Sequence, residues 1–224
     1  MLTGPATTRE RTARRCADDG HGAAVLPAPW PLDAVPPDVA HPGACRTVVE
    51  WVREYLARPH GDLGRPGPVC PYVPGALAHR GLRAVVWPDR PSGVGQVVAV
   101  MRAYRDWFMG SGGAVPGVGD RRWAALLVLF PALTRDDVVW AIDGAQRALK
   151  TEFVERGLMV GEFHDGPPAV PGLWNRDFRP LRSPVPLLAM RAMVRTDLPF
   201  LRDDPRQLAA HRDRFGGASH GEVG

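Results

Sequence analysis

Residues 123–130, Trp-Ala-Ala-Leu-Leu-Val-Leu-Phe, are apolar without a break, and Pro131 ends the run. A strand of this kind has no polar face to turn to water, so it suits a central position covered on both sides. The segments around it alternate in type. Leu82–Trp87, closed by Pro88, reads as a strand, as do Leu158–His164 and Leu187–Val194. Between them lie helices. Ser92 can cap a helix running to about Met109, in which Val94, Val97, Val98, Met101 and Phe108 keep helical spacing. Thr134 with Asp137 three residues on is an acidic variant of the capping box. Val138, Ile142, Ala145, Leu149 and Phe153 then share one face, and Gly157 stands where a helix ends on a left-handed residue. Arg46–Ala57 and Pro205–Phe215 read as further helices. Val69–Pro74 reads as an extended or turn element, because residues before proline are pushed from the α region.

This order contains two consecutive β-α-β units, which favour parallel strands joined by right-handed crossovers. The expected fold class is α/β (α+β): a two-layer sandwich with a mixed, mainly parallel sheet of about four strands, the fourth antiparallel beside the third. A three-layer doubly wound sheet is the alternative. Residues 1–44, polar at first and then proline-rich, are expected to be a largely irregular tail that orders only by draping over a core. Residues 45–215 are expected to form one α/β domain and 216–224 a flexible C-terminus.

Composition narrows the function classes. A chain of 224 residues with 45% hydrophobic and 23% charged residues can build a core without staples. The formal charge of +4 comes almost wholly from arginine, Lys150 being the only lysine. No long basic run and no zinc-finger or RNP-type pattern occurs, which disfavours nucleic acid as a partner. Cys16, Cys45 and Cys70 are widely spaced, with no C-x-x-C pair, so neither a disulfide framework nor a structural zinc site is expected. The Arg-rich start has no apolar h-region, and no apolar stretch is long enough to span a bilayer. A cytoplasmic protein without membrane contact is the expectation, and a homodimer is compatible with it.

One region carries candidate chemistry. Side chains alternate along Met159–His164, so Glu162 and His164 share a face opposite Phe163. A carboxylate and an imidazole two residues apart can form a proton-transfer pair or part of a metal site, or can simply face water. His164 also stands at the carboxyl end of its strand, where ligands bind in open α/β sheets. The connection that follows, 165–186, is too long and too apolar to be idle. It contains Trp174, Asn175, Phe178 and Leu181, and Arg176, Arg179 and Arg182 recur every third residue. In a left-handed extended helix of three residues per turn those guanidiniums would form one row, offering forked donors to carboxylate or phosphate. Arg191 lies inside the last strand and needs a partner, for which Glu162 is the candidate. Cys70 reads as an inert thiol, and His60 and His79 as solvated turn residues.

Three segments together resemble a known pattern: Cys70-Pro71-Tyr72-Val73-Pro74, Gly161-Glu162-Phe163-His164, and the Pro171–Pro186 stretch with its Leu-Trp-Asn and Phe-Arg-Pro-Leu. They resemble an uncharacterised domain family found chiefly in actinobacteria and often encoded near specialised-metabolite biosynthesis genes. The resemblance spans roughly residues 65–202 and implies domain extent and genomic setting. That family usually has proline after the histidine, whereas this chain has Asp165.

Two readings follow. In the first, the protein is an enzyme of bacterial specialised metabolism acting on a small anionic substrate, a carboxylate or phosphate. His164 and Glu162 would be catalytic, and Arg179, Arg182, Arg191, Trp174 and Asn175 would bind substrate. The cofactor is unknown, with heme or non-heme iron as a variant held by His164. In the second, the Pro/Trp/Arg-rich loop 165–186 docks a partner without catalysis. The first requires a hollow containing His164 and at least two of the arginines, and the second an exposed Trp174.

Overall fold

The computed structural model describes residues 26–110, 120–170 and 173–216. Most of the glycine-rich Gly110–Gly119 loop, Pro171, Gly172 and both chain ends lie outside the described residues. The strands are β1 (Trp30–Pro31), β2 (Leu82–Val86), β3 (Ala125–Leu129), β4 (Leu158–Phe163) and β5 (Leu187–Ala192). They form one five-stranded mixed sheet in the order β1-β2-β3-β5-β4. The α-helices are α1 (Pro42–Trp51), α2 (Tyr72–Ala78), α3 (Val94–Gly110), α4 (Gly144–Glu155) and α5 (Pro205–Phe215).

The sheet corrects the expected strand number and strand directions. It has five strands, because Trp30–Pro31, within the segment read as a tail, pairs with Ala84 and Arg83 of β2. Trp30 and Leu32 are buried there. It is also not mainly parallel. Among the described strands only β2 and β3 form a parallel pair; β5 runs antiparallel to both β3 and β4 and separates them. The cause is visible in the side chains. Leu187-Leu188-Ala189-Met190 is apolar on both faces and fits an interior slot, while β4 carries Gly161 and Glu162 and suits an edge. The long connection 165–186 lets the chain return into that slot.

Every residue of β3 is buried. On one face Leu126 and Val128 meet Val97, Met101 and Tyr104 of α3 and Ile142, Ala145 and Leu149 around α4. On the other, Leu127 and Leu129 meet Cys45, Val48 and Val52 near α1 and Val73 and Ala76 of α2. The sheet is therefore the middle of three layers rather than one of two, as the unbroken apolar run of β3 demands. Each fully buried aliphatic side chain contributes on the order of 2 kcal/mol. α5 packs behind α4 through Val154, Met193, Leu201 and Ala210.

Local departures have local reasons. Val69–Pro74, expected to be an extended or turn element, instead runs into a helix: Tyr72–Pro74 opens α2. Pro71 at the N-cap and Pro74 within the first turn are tolerated because first-turn N–H groups have no intrahelical acceptor to lose. Two helices contain a wide π-type turn: Val52–Leu56 after α1, with Ala57 N donating to Val52 O at 3.0 Å, and Val139–Asp143 before α4. Thr134 donates its backbone N–H and hydroxyl to Asp137 Oδ2, at 2.9 and 2.8 Å. Arg90 grips the same carboxylate and, with Thr134, holds its titration far below the ordinary range. Gly157, at φ +73°, ends α4.

Gly81 enters β2 beside the backbone carbonyl of Trp123, which a Cβ at that position would overlap. Backbone cannot yield as a flexible side chain can. Gly81→Ala is expected to lower stability by about 1–3 kcal/mol in urea denaturation; an unchanged midpoint would contradict this packing.

Candidate functional site

The alternation expected along β4 is present, and it sends its two polar residues toward the α4 layer. His164 follows β4 directly and is 1% exposed. Its partner is not Glu162. Nε2 lies 2.8 Å from Asp143 Oδ1, at the end of the wide turn before α4, and Nδ1 accepts the Gly166 N–H at 3.1 Å. A backbone N–H can only donate, so Nδ1 is the acceptor and Nε2 carries the proton that is donated to the carboxylate. Both ring nitrogens are engaged. The His164 carbonyl in turn accepts from Ser183 N at 2.9 Å. One residue thus ties the end of β4, the turn before α4 and the returning loop. As found, this is the geometry of a structural clamp, and neither nitrogen is free for a metal ion or a substrate proton.

Glu162 stands at the free edge of the sheet. The bond from Met193 N to Gly157 O sets the alternation, so the backbone groups of Val160 and Glu162 point away from β5. Gln146 Nε2 donates to Val160 O at 3.4 Å. The Glu162 carboxylate engages its own N–H; burial, with Asp143 nearby, still pushes its titration above the usual 4.5. Side chains thereby occupy the edge that another strand could otherwise extend.

Arg191 is corrected likewise. It pairs in register with Met159, whereas Glu162 pairs with Leu188, so Arg191 and Glu162 lie on opposite faces. Its guanidinium meets Asp197 in a forked pair at 2.8 and 2.6 Å and lies 5.1 Å from the Tyr72 ring centroid. Burial alone would lower its titration, but the Asp197 carboxylate outweighs it. Asp197 also accepts from Val194 N. Arg191 is a strut between β5 and the turn that follows, remote from the loop arginines. Cys70 is a free, half-buried thiol whose N–H donates to Leu56 O as α2 begins.

The remaining predicted residues converge. The loop 173–186 is fastened to α1 and its wide turn: Trp51 Nε1 donates to Arg182 O at 3.0 Å, and Tyr55 Oη to Arg179 O at 3.4 Å. A row of rings backs the contact. Trp51 meets Phe163 edge-on with centroids 5.6 Å apart and stacks with Tyr55 at 6.3 Å; Tyr55 meets His60 at 6.0 Å, and His60 stacks on Phe178 at 4.4 Å. Beside these rings lies an open groove of about 750 Å³, lined among others by Asn175, Arg179 and Arg182. That volume is in the range of small-molecule sites.

The arginines do not form the expected row. Turns close at Asn175–Phe178 and Arg179–Arg182, since these bonds exclude the unbonded extended helix, and Arg176 does not line the groove. Arg182 is neutralised by Asp165, at 2.8 and 2.6 Å, and holds that carboxyl below the ordinary range. Arg179 donates to two backbone carbonyls and has no carboxylate partner among the described residues. Trp174 is 77% exposed; its Cβ packs where a side chain at Gly64, at φ +66°, would stand.

The match to a family model for a domain of unknown function, DUF6875, covers residues 45–223. The chain belongs to that family. No curated protein and no solved structure matches the chain. In this DUF6875 domain the segments that carried the resemblance do structural work: Cys70–Pro74 opens α2, and Gly161–His164 ends β4 in the clamp. Among the described residues no cluster of three or more His, Cys, Asp or Glu is placed to hold a metal ion, and no helix is long and apolar enough to cross a membrane.

Sequence reading missed Asp143, His60 and the Trp51–Tyr55 pair. Asp143 lies beside Ile142 in an otherwise apolar helix start, with nothing in its spacing to link it to a residue 21 positions on. His60, flanked by proline and glycine, looks like a turn residue. It is one, with Nδ1 accepting from Asp62 N at 3.3 Å, yet its ring forms part of the groove.

His164→Ala strands the carboxylate of Asp143 and should cost about 3–5 kcal/mol in denaturant unfolding; a loss below about 1 kcal/mol would deny the clamp. Glu162→Gln tests the edge. A carboxyl that titrates above its unfolded value contributes stability that is fully present below pH 4.5 and is lost as pH rises through the folded value. The variant is therefore expected to be more stable than the parent at neutral pH, with the advantage vanishing in acid. A constant offset across pH would contradict the assignment.

Proposed function

We propose that the protein binds a small molecule bearing a carboxylate or phosphate in the groove between α1 and residues 173–186. The observation that carries this is Arg179: a guanidinium without a carboxylate partner among the described residues, on the wall of an aromatic-backed hollow of about 750 Å³. A half-exposed cation held by backbone carbonyls keeps free N–H donors for a forked anion contact. Asn175 adds an amide, and the His60–Phe178 stack a flat apolar surface.

Should the bound molecule react, proton transfer falls to His60 rather than His164. Its Nε2 has no hydrogen-bond partner among the described residues, and its Nδ1 is oriented by Asp62 N. The resemblance to a family encoded near specialised-metabolite genes supports a substrate from bacterial specialised metabolism. A second reading, docking of a partner through the loop, is favoured by one observation, the exposed indole of Trp174.

Calorimetric titration with 3-phenylpropionate and phenyl phosphate separates the two. At least one is expected to bind the parent, with Arg179→Gln weakening it about tenfold or more and Trp174→Ala changing it little. Failure of both probes, or equal binding by Arg179→Gln, would overturn the anion-binding reading.

A further inference from the structure

We infer that the groove takes a zwitterion: a molecule of the α-amino-acid type, with an apolar or aromatic body, a carboxylate for Arg179 and an ammonium for the acids that share its lining. The inference rests on the anion-binding reading and adds a second charge to its ligand. Its basis is the charge inventory of the lining. Three carboxylates, Asp62, Asp165 and Asp177, stand against two guanidiniums, Arg179 and Arg182. Asp165 and Arg182 neutralise each other, two guanidinium nitrogens meeting the one oxygen Oδ1. What remains on the lining is one guanidinium, Arg179, and two carboxylates, Asp62 and Asp177.

Neither remaining acid is paired with a guanidinium or ammonium among the described residues. Among the described residues, Asp62 has only the imidazole of His60, with Nδ1 at 3.7 Å. That nitrogen already accepts the Asp62 N–H, so it offers the carboxylate no proton while the ring is neutral. Asp177 has no cationic partner among the described residues; its backbone N–H is turned to the Asn175 side chain, at 2.9 Å. A ligand with only negative charge would meet an uncompensated excess of like charge in this hollow. One that also carries an ammonium converts the excess into attraction, since opposite charges at close range in a partly enclosed site are favourable and like charges are not. The rings of His60, Phe178 and Tyr55 supply a wall for the uncharged body, and a face that stacks aromatic rings favours a planar one.

The test uses three probes with one body: L-phenylalanine, 3-phenylpropionate and phenethylamine, titrated calorimetrically into the full chain at neutral pH. L-phenylalanine is expected to bind at least about tenfold more tightly than either of the others. Arg179→Gln should bring L-phenylalanine down to the level of phenethylamine. The double variant Asp62→Asn/Asp177→Asn should bring it down to, or below, that of 3-phenylpropionate, and should strengthen 3-phenylpropionate. These residues are partly or wholly exposed, so a matched thermal melt is expected for each variant. If L-phenylalanine binds no more tightly than 3-phenylpropionate, and 3-phenylpropionate still depends on Arg179, the zwitterion is wrong while the anion site stands. If no probe binds, or Arg179→Gln changes nothing, both fall.

Discussion

The bond between His164 and Asp143 holds the architecture of this end of the sheet. β4 is an edge strand, and edge strands are the least secured part of an open sheet. Here the strand is anchored beyond its last ladder residue by an imidazole that reaches the helix layer on one side, while the same residue's carbonyl receives the returning loop. A buried imidazole joined to a carboxylate is costly to leave half-made, so the three segments must order together. The loop 173–186 can then present Arg179 at a defined position instead of sampling solvent.

That dependence assigns the groove its character. α1 could pack on the sheet with aliphatic residues alone, yet it ends on Trp51 and the wide turn after it bears Tyr55, and both give their polar atoms to loop carbonyls. Aromatic residues with a polar tip suit this position, burying a large ring while satisfying backbone acceptors that would otherwise be stranded. The wide turn at Val52–Leu56 bears Tyr55, and the one at Val139–Asp143 ends on the partner of His164. Such turns recur at functional sites because they displace one side chain from the regular helical path. In this protein, one displaced residue closes the clamp and another backs the groove.

Much of the fold was legible. Unbroken apolarity placed β3 at the centre, helical periodicity located α3 and α4, and Gly157 marked the end of α4. These features depend on neighbours a few residues away, so the sequence displays them directly. The slot occupied by β5 was not legible, because β-pairing depends on which edge a long connection can reach. The site divided along the same line. Asn175, Arg179 and Arg182, which line the groove, stood out in the composition of a long loop. Their arrangement was not, since short hydrogen-bonded turns replaced the extended row, and the partners of His164 and Arg191 lay on other elements.

By itself, the sequence determined where β2 to β5 and the helices α1, α3, α4 and α5 lie, that β3 must be covered on both faces, and that residues 165–186 carry unusual cations and rings. The tertiary structure alone decided that His164 is spoken for, that Glu162 and Arg191 stand on opposite faces, and that His60 looks into a groove beside Arg179. The reason is geometric. Periodicity encodes the face on which a side chain emerges, but a hydrogen-bond partner is chosen by the packing of segments distant in the chain, and that choice separates a free imidazole from a buried clamp.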